Sequence, residues 1–204
     1  DSMVENVLVL EYGTEESLQI VREQAHTLAA VLIEPVQSRR PEFQPAEFAR
    51  ELRKITEESG TALVFDEVVT GFRTHQGGMQ ARWGVRADLA TYGKVAGGGF
   101  PIGIVTGKAE YMDAMDGGFW SFGDDSAPEV GMTFFAGTFV RHPLALAAAN
   151  AVLDHLMENP QLQSELDAKT EAFVNRLNAR FEALGAGARL NRFSSMFYLQ
   201  LPDS

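Results

Sequence analysis

The stretch TALVFDEV, residues 61–68, runs through apolar residues and then stops on two carboxylates. The four apolar residues at 62–65, bounded by Gly60 on one side and by charge on the other, have the pattern of a strand buried on both faces. Asp66 follows directly. A buried carboxylate without a partner is costly, so Asp66 either meets a cation or caps the turn that follows the strand.

Similar runs flank this one. AAVLIEPV (29–36) is a nearly continuous apolar run read as a strand buried on both faces, and ADLATYG (87–93) is a third strand. Between the first two, Pro45 opens a helix that turns Phe48, Leu52 and Ile55 inward and stops at Gly60. Upstream, NVLVLEY (6–12) reads as a β-rich run closed by Gly13. Thr14 then caps a helix with Glu15 and Glu16 in its first turn and Leu18, Val21, Ala25 and Leu28 on one face. This succession predicts an α/β fold, a mostly parallel sheet flanked by helices, with its ligand crevice at the carboxyl ends of the strands. Asp66 and Lys94 fall at those ends.

From Pro143 the character changes. PLALAAANAVLDHLM is apolar almost all round and predicts a helix buried against the sheet. Asn159-Pro160 breaks it, and a second helix from about Gln161 sets Leu162, Leu166, Phe173, Leu177, Phe181 and Leu184 at helical spacing. ARLNRFSSMFYLQL then alternates like the start of a small sheet. A boundary at residue 158 is expected, with 1–158 in one domain and 159–204 beginning another.

Composition limits the chemistry. The 204 residues, 45% hydrophobic, suffice for one large core or two small ones. A net charge of −11, with Arg39-Arg40 as the one arginine pair, argues against nucleic acid and against an anionic membrane surface. The absence of cysteine excludes disulfides, thiol nucleophiles and Cys-ligated zinc. His26, His75 and His155 lack metal-ligand spacing and are expected on the surface or on helices; no metal site is expected. No apolar run approaches the roughly 18 residues of a membrane span, and no basic leader opens the chain, so a cytoplasmic protein is expected.

The second informative stretch is TYGKVAGGG, residues 91–99. A lysine amine becomes a useful nucleophile when desolvation or a neighbouring cation lowers its pKa, and its main covalent task is a Schiff base with a carbonyl such as that of pyridoxal phosphate. Glycines beside it allow close approach of backbone and cofactor. The same residues also suit a surface lysine in a glycine-rich turn. Asp66 bears on the choice, because a protonated pyridine nitrogen is a cation that a strand-end carboxylate would meet, and that pairing makes the ring an electron sink. Jointly, Asp66 and Lys94 favour the cofactor.

Four blocks carry a family resemblance across essentially the whole chain: IEPVQS (33–38), LVFDEVVTGFR (63–73), TYGKVAGGGFPIG (91–103) and FAGTFVRHPLALAAA (135–149). In order and spacing they resemble class III aminotransferases, which are fold type I pyridoxal-phosphate enzymes. Within these the chain looks most like the glutamate-1-semialdehyde aminotransferase-like branch. EPVQSRRPEFQP and TFFAGTFVRHPLA point most sharply to aminotransferase domains of hybrid polyketide and non-ribosomal peptide synthases. The resemblance implies that 1–158 is the central part of a large cofactor-binding domain and that 159–204 begins a smaller C-terminal α/β domain.

The resemblance also implies roles. Lys94 would be the Schiff-base lysine and the proton shuttle between substrate Cα and cofactor C4′, and Asp66 the partner of the pyridine nitrogen. Val68 would pack on one ring face, on the same side of the strand as Asp66. Thr138 would reach the cofactor phosphate across a homodimer interface; from its residue type alone it is an ordinary loop threonine. An amino donor such as glutamate or glutamine would supply a keto acceptor, in the synthase setting a β-keto acyl thioester on a carrier domain. An intramolecular aminomutase and a non-catalytic scaffold that kept the fold are the alternatives.

Departures from the family pattern carry their own implications. Val69 stands where many relatives have a glutamine that bonds the cofactor's phenolic oxygen. Arg39 stands where ornithine- and GABA-type members have a glutamate, so their mode of substrate switching is not implied. Arg39 suits either recognition of a carboxylate or carrier-linked phosphate, or plain exposure in a polar loop. His142-Pro143 replaces the common Asn-Pro. Family members are about twice as long as these 204 residues, with the phosphate-cupping loop upstream, so the chain is expected to be an excerpt that is poorly active alone.

Overall fold

The computed structural model describes residues 4–118, 120–129, 131–133 and 135–202. Its centre is a four-stranded sheet of β1 (Ala30–Ile33), β2 (Ala62–Asp66), β3 (Leu89–Tyr92) and β4 (Ile104–Gly107), paired in that order. The first three strands are parallel and β4 runs antiparallel to β3. The parallel expectation holds because each link between the first three strands returns through a helix. β4 was not foreseen, since three residues between Gly103 and Gly107 give a weak strand signal.

Helix α1 (Glu15–Gln24) starts as read from the sequence, with the Thr14 hydroxyl accepting the Ser17 N–H at 3.2 Å, and Leu18 and Val21 are buried. Helix α2 (Ala46–Ser59) buries Phe48, Ala49, Leu52, Ile55 and Thr56 and ends at Gly60, whose φ of 76° is the left-handed cap glycine favours. These faces meet Leu63 and Phe65 of β2 in one core that also takes in Met79 and Trp83 of helix α3 (Gly78–Trp83).

Three expectations are corrected. Residues 7–11 form no strand: a strand exists by pairing, β1 is the sheet edge and pairs with β2, and Val9 is 87% exposed. Leu10 and Tyr12 pack on the core instead. β1 is not buried on both faces, for only Ile33 is buried and Leu32 is exposed, as befits an edge strand. After the short helix α4 (Ala109–Met112), helix α5 (Pro143–Glu158) begins with its proline as predicted, yet it buries only Ala145, Ala149 and Leu156. It packs against the short turn Lys94–Gly97 rather than the sheet, leaving Leu144, Leu146 and Met157 exposed.

Helix α6 (Leu162–Ala183) and the antiparallel hairpin of β5 (Arg189–Phe193) and β6 (Met196–Gln200) follow. The apolar spacing read for α6 does not mark a buried face, since Gln163 and Val174 are its buried residues and Leu166 and Phe173 are exposed. Asn178 instead ties the helix to β5, bonding both the Leu190 N–H (2.8 Å) and the Leu190 carbonyl (2.9 Å). Phe193 and Met196 join the core of the four-stranded unit, with the Arg82 guanidinium 4.7 Å from the Phe193 ring centroid. No helix among the described residues is long and apolar enough to cross a membrane.

Two buried carboxylates brace this arrangement. Asp88, with a side chain only 3% exposed, accepts the Leu63 N–H (2.7 Å), an Arg53 guanidinium N–H (2.8 Å) and the Lys108 ammonium (2.6 Å), so it joins β2, α2 and the chain after β4. Burial pushes its carboxyl up, but the Leu63 N–H, Lys108 and Arg53 outweigh that and hold it below the ordinary value. Glu67 reaches the start of α3, where it accepts the Met79 N–H (2.7 Å), the Gln80 N–H (3.3 Å) and the Thr70 hydroxyl (3.1 Å). Gly78 lies over that carboxylate at φ 63°, and a Cβ there would run into it.

Asp88→Ala is expected to lower unfolding stability by about 3–5 kcal/mol in urea titrations at neutral pH, because Arg53 is left buried without its partner. The stability Asp88 supplies is present above the unfolded carboxyl pKa and is lost as pH falls through the lowered folded one, so wild type and variant converge in acid below about pH 3.9. Gly78→Ala combines a left-handed φ with a steric clash and is expected to lower the thermal transition, by about 1–3 kcal/mol in stability. An unchanged transition would show that the Glu67 cap tolerates a side chain there.

Candidate active site

The register of the parallel strands decides which residues share the carboxyl rim. Ile33 pairs with Phe65, Phe65 with Ala90, and Asp66 with Thr91. Glu34, Asp66 and Thr91 are thereby side by side on neighbouring strand ends, with Lys94 three residues further along.

Asp66 is half-buried. Its Oδ1 accepts the Val68 N–H at 3.0 Å and the Thr91 hydroxyl at 3.2 Å. The turn-capping role thus falls to one carboxylate oxygen. Oδ2 has no hydrogen-bond partner among the described residues. Thr91 was missed in the sequence reading; its one signal was its place two residues before the glycine that precedes Lys94.

Lys94 opens the turn Lys94–Gly97 with φ 44°, in the left-handed region that costs a non-glycine residue about 1–2 kcal/mol. Its side chain is exposed and makes no ion pair among the described residues. Val68 packs beside the preceding Gly93: a Cβ there would lie 3.4 Å from Val68 Cγ1 and 3.0 Å from the Ile102 carbonyl oxygen. Val68, whose N–H binds Asp66, thus meets the residue just before Lys94.

Glu34 completes the rim and was also missed, although it follows an apolar run as Asp66 does. Its Oε1 accepts the Ser38 N–H at 3.2 Å. Burial chiefly pushes its carboxyl up, the Ser38 bond opposes, the charge of Asp66 pushes it further up and that of Lys94 pulls it down. Glu34 thus feels the charges of both Asp66 and Lys94 from the neighbouring strand ends. Tyr12 closes this edge by donating its hydroxyl to the Pro35 carbonyl at 2.9 Å, and burial, with the Glu34 charge, pushes the phenol up.

Thr138 is not brought to the rim within the chain. It lies exposed in a turn closed by the Val140 N–H on the Gly137 carbonyl (3.1 Å), ahead of α5. Arg39 is exposed in the turn after β1, closed by the Arg40 N–H on the Gln37 carbonyl (3.0 Å). Val69 packs on the core. His26, His75 and His155 are exposed, and His142 precedes α5. Two cavities, about 200 Å³ around Asp88 and Lys108 and about 490 Å³ around Trp120, lie away from Asp66 and Lys94. An exposed primary amine and a carboxylate with one free oxygen, held on adjacent strand ends, suit a ligand with an electrophilic carbon at one end and a protonated ring nitrogen at the other.

Comparisons with known proteins place the family and the fold. The family described as aminotransferase class-III matches residues 5–185. A glutamate-1-semialdehyde 2,1-aminomutase of Fusobacterium nucleatum subsp. nucleatum is 33% identical over 204 residues, which is 100% of this chain and 44% of that protein. Among solved structures, an omega-transaminase from Sphaerobacter thermophilus is similar with a TM-score of 0.79 and 30% identity, over 97% of this chain and 43% of that one. A transaminase with PLP bound gives a TM-score of 0.84 at 26% identity, over 100% and 46%. The chain spans less than half the length of these proteins, and over that span it has the mixed, mostly parallel sheet of fold type I PLP-dependent transferases. With 181 of its 204 residues inside the family match and the amine and carboxylate at one sheet rim, this chain belongs to the class-III aminotransferases.

Proposed function

We propose that the chain carries the lysine and the ring-binding carboxylate of a pyridoxal-phosphate-dependent aminotransferase, which moves an amino group from an amino-acid donor to a keto acceptor. The observation that supports this most is the shared rim: Asp66, whose Oδ2 has no hydrogen-bond partner among the described residues, and Lys94, exposed and in no ion pair among them, on adjacent strand ends with Val68 beside Gly93. When bound, the cofactor supplies an electron sink for the carbanion formed at the substrate Cα. Lys94 would hold the cofactor through its amine and, once released, would carry the proton to and from that carbon. Asp66 Oδ2 would accept the ring N–H, while the Val68 N–H and the Thr91 hydroxyl keep the carboxylate from turning away through their bonds to Oδ1. Val68 would offer its apolar side chain to one ring face.

Thr138 is assigned to the cofactor phosphate of a second copy, and a homodimer with a shared site follows. Its exposure, away from its own chain's rim, supports the assignment. The preferred acceptor is a β-keto acyl thioester within a polyketide or non-ribosomal peptide synthase, supported by EPVQSRRPEFQP and TFFAGTFVRHPLA and by Arg39 exposed just beyond β1. That setting is cytoplasmic. A second reading, an intramolecular aminomutase, is favoured by the 33%-identical glutamate-1-semialdehyde 2,1-aminomutase. The two separate on one assay: amino transfer between separate donor and acceptor molecules excludes a strict mutase, and interconversion of a single substrate with no transfer excludes the transaminase.

Lys94→Ala is expected to abolish the visible absorbance of lysine-held cofactor and to lower turnover at least about 10²-fold. Asp66→Asn is expected to keep the absorbance while lowering kcat by about 10²–10³, since the ring nitrogen loses its charged partner. Wild-type turnover in Lys94→Ala would sink the catalytic reading and leave a scaffold that kept the fold.

A further inference from the structure

The blocks that hold Asp66 and Lys94 also hold Gly71, Phe72 and Tyr92, for which the chemistry above has no use. The turn that follows Asp66 closes over Tyr92. The Glu67 N–H donates to the Thr91 carbonyl at 2.9 Å, carrying the β2–β3 ladder one residue past the strand, and the Gly71 N–H donates back to the Glu67 carbonyl at 2.8 Å. At Gly71 the tyrosine ring comes so near that a Cβ would lie 2.5 Å from Tyr92 Cδ1 and 2.7 Å from the Glu67 carbonyl oxygen. Phe72, itself at φ 58°, sets its ring 5.3 Å from that of Tyr92 at 47°. On the far side the Tyr92 hydroxyl accepts from Gln80 Nε2 at 3.1 Å, and the Gln80 N–H is bound to Glu67 Oε1. Each path begins next to Asp66 and ends two residues before Lys94.

Lys94 needs such a hold. A left-handed φ on a residue with a side chain persists only where its surroundings over-determine it. The exposed lysine side chain supplies no contact of that kind. The backbone before it does: Tyr92 is gripped on both sides, and Gly93 is buried against the Ile102 carbonyl.

We propose that Tyr92, gripped by the 67–72 turn, is a positioning residue that fixes the Lys94 amine relative to the Asp66 carboxylate, and that residue 71 is glycine because the ring takes its space. The inference rests on the functional reading above for its chemistry, though not for its geometry. In the protein that carries this chain, Tyr92→Phe keeps the ring against the 67–72 turn and loses the Gln80 bond, so it should fall between wild type and Tyr92→Ala. Tyr92→Ala removes the grip and Gly71→Ala drives the ring out. Both should retain borohydride-fixed pyridoxal phosphate on Lys94, move the pH at which its visible absorbance changes, and lower kcat by about 10²-fold with KM within about twofold. Wild-type kcat and an unmoved pH midpoint in Tyr92→Ala overturn the inference. So does a loss confined to temperatures near each variant's thermal transition, which marks a stability effect alone. Should the wild type take no label on Lys94, the functional reading fails, and hydrogen exchange decides the positioning. The Ala96 and Gly98 amides, bonded to the Gly93 and Val95 carbonyls at 3.1 and 3.2 Å, should then exchange faster in Tyr92→Ala relative to Leu63, and equal exchange overturns the inference.

Discussion

Successive side chains of a strand leave on opposite faces, and the Asp66-Glu67 pair at the end of β2 puts one carboxylate to each use. Asp66 stays half-buried at the rim with a free oxygen. Glu67 turns into the protein, is fully buried, and gathers the backbone of α3. Exchanging the two by a one-residue slip would place an unpaired carboxylate in the core and strip α3 of its cap. The same register that builds the core thus presents the rim.

Charge is divided along the strands as well. Asp88, before β3, is paired with Arg53 and Lys108 and bonded to β2, so its charge is neutralised where it stands and serves the packing. At the other end Glu34 feels the charges of Asp66 and Lys94, with none of the three locked in an ion pair among the described residues. A saturated cluster resists change and an unsaturated one invites a ligand. That asymmetry, rather than the volume of any cavity, picks out the carboxyl rim.

What the sequence revealed follows from local physics. The Thr14 cap, the Gly60 stop and the buried face of α2 depend on neighbours a few residues apart, and each was readable. Asp66 was readable for the same reason, as charge set against an apolar run. The misses depend on distant partners. NVLVLEY has strand composition without a pairing strand, and PLALAAANAVLDHLM has core composition without enough core to cover it. Thr91 and Glu34 gain their meaning only from the register of three strands. Glu67 could have been suspected, since two adjacent strand-end carboxylates cannot share one face, but its acceptor duty to Met79 and Gln80 lies 12 and 13 residues away.

Lys94 sets the remaining physical condition on the chemistry. An amine in water is protonated and well solvated at neutral pH, and it becomes a nucleophile or base only when something removes that solvation or places a cation beside it. On this chain Lys94 is open, the carboxylate of Glu34 is its charged neighbour at the rim, and α5 is the helix that contacts its turn. The desolvation must therefore arrive with whatever covers the rim. A planar cofactor held at this rim would supply part of that cover itself. What the chain contributes in advance is position, a lysine held in a costly backbone conformation at the sheet rim that also carries Asp66.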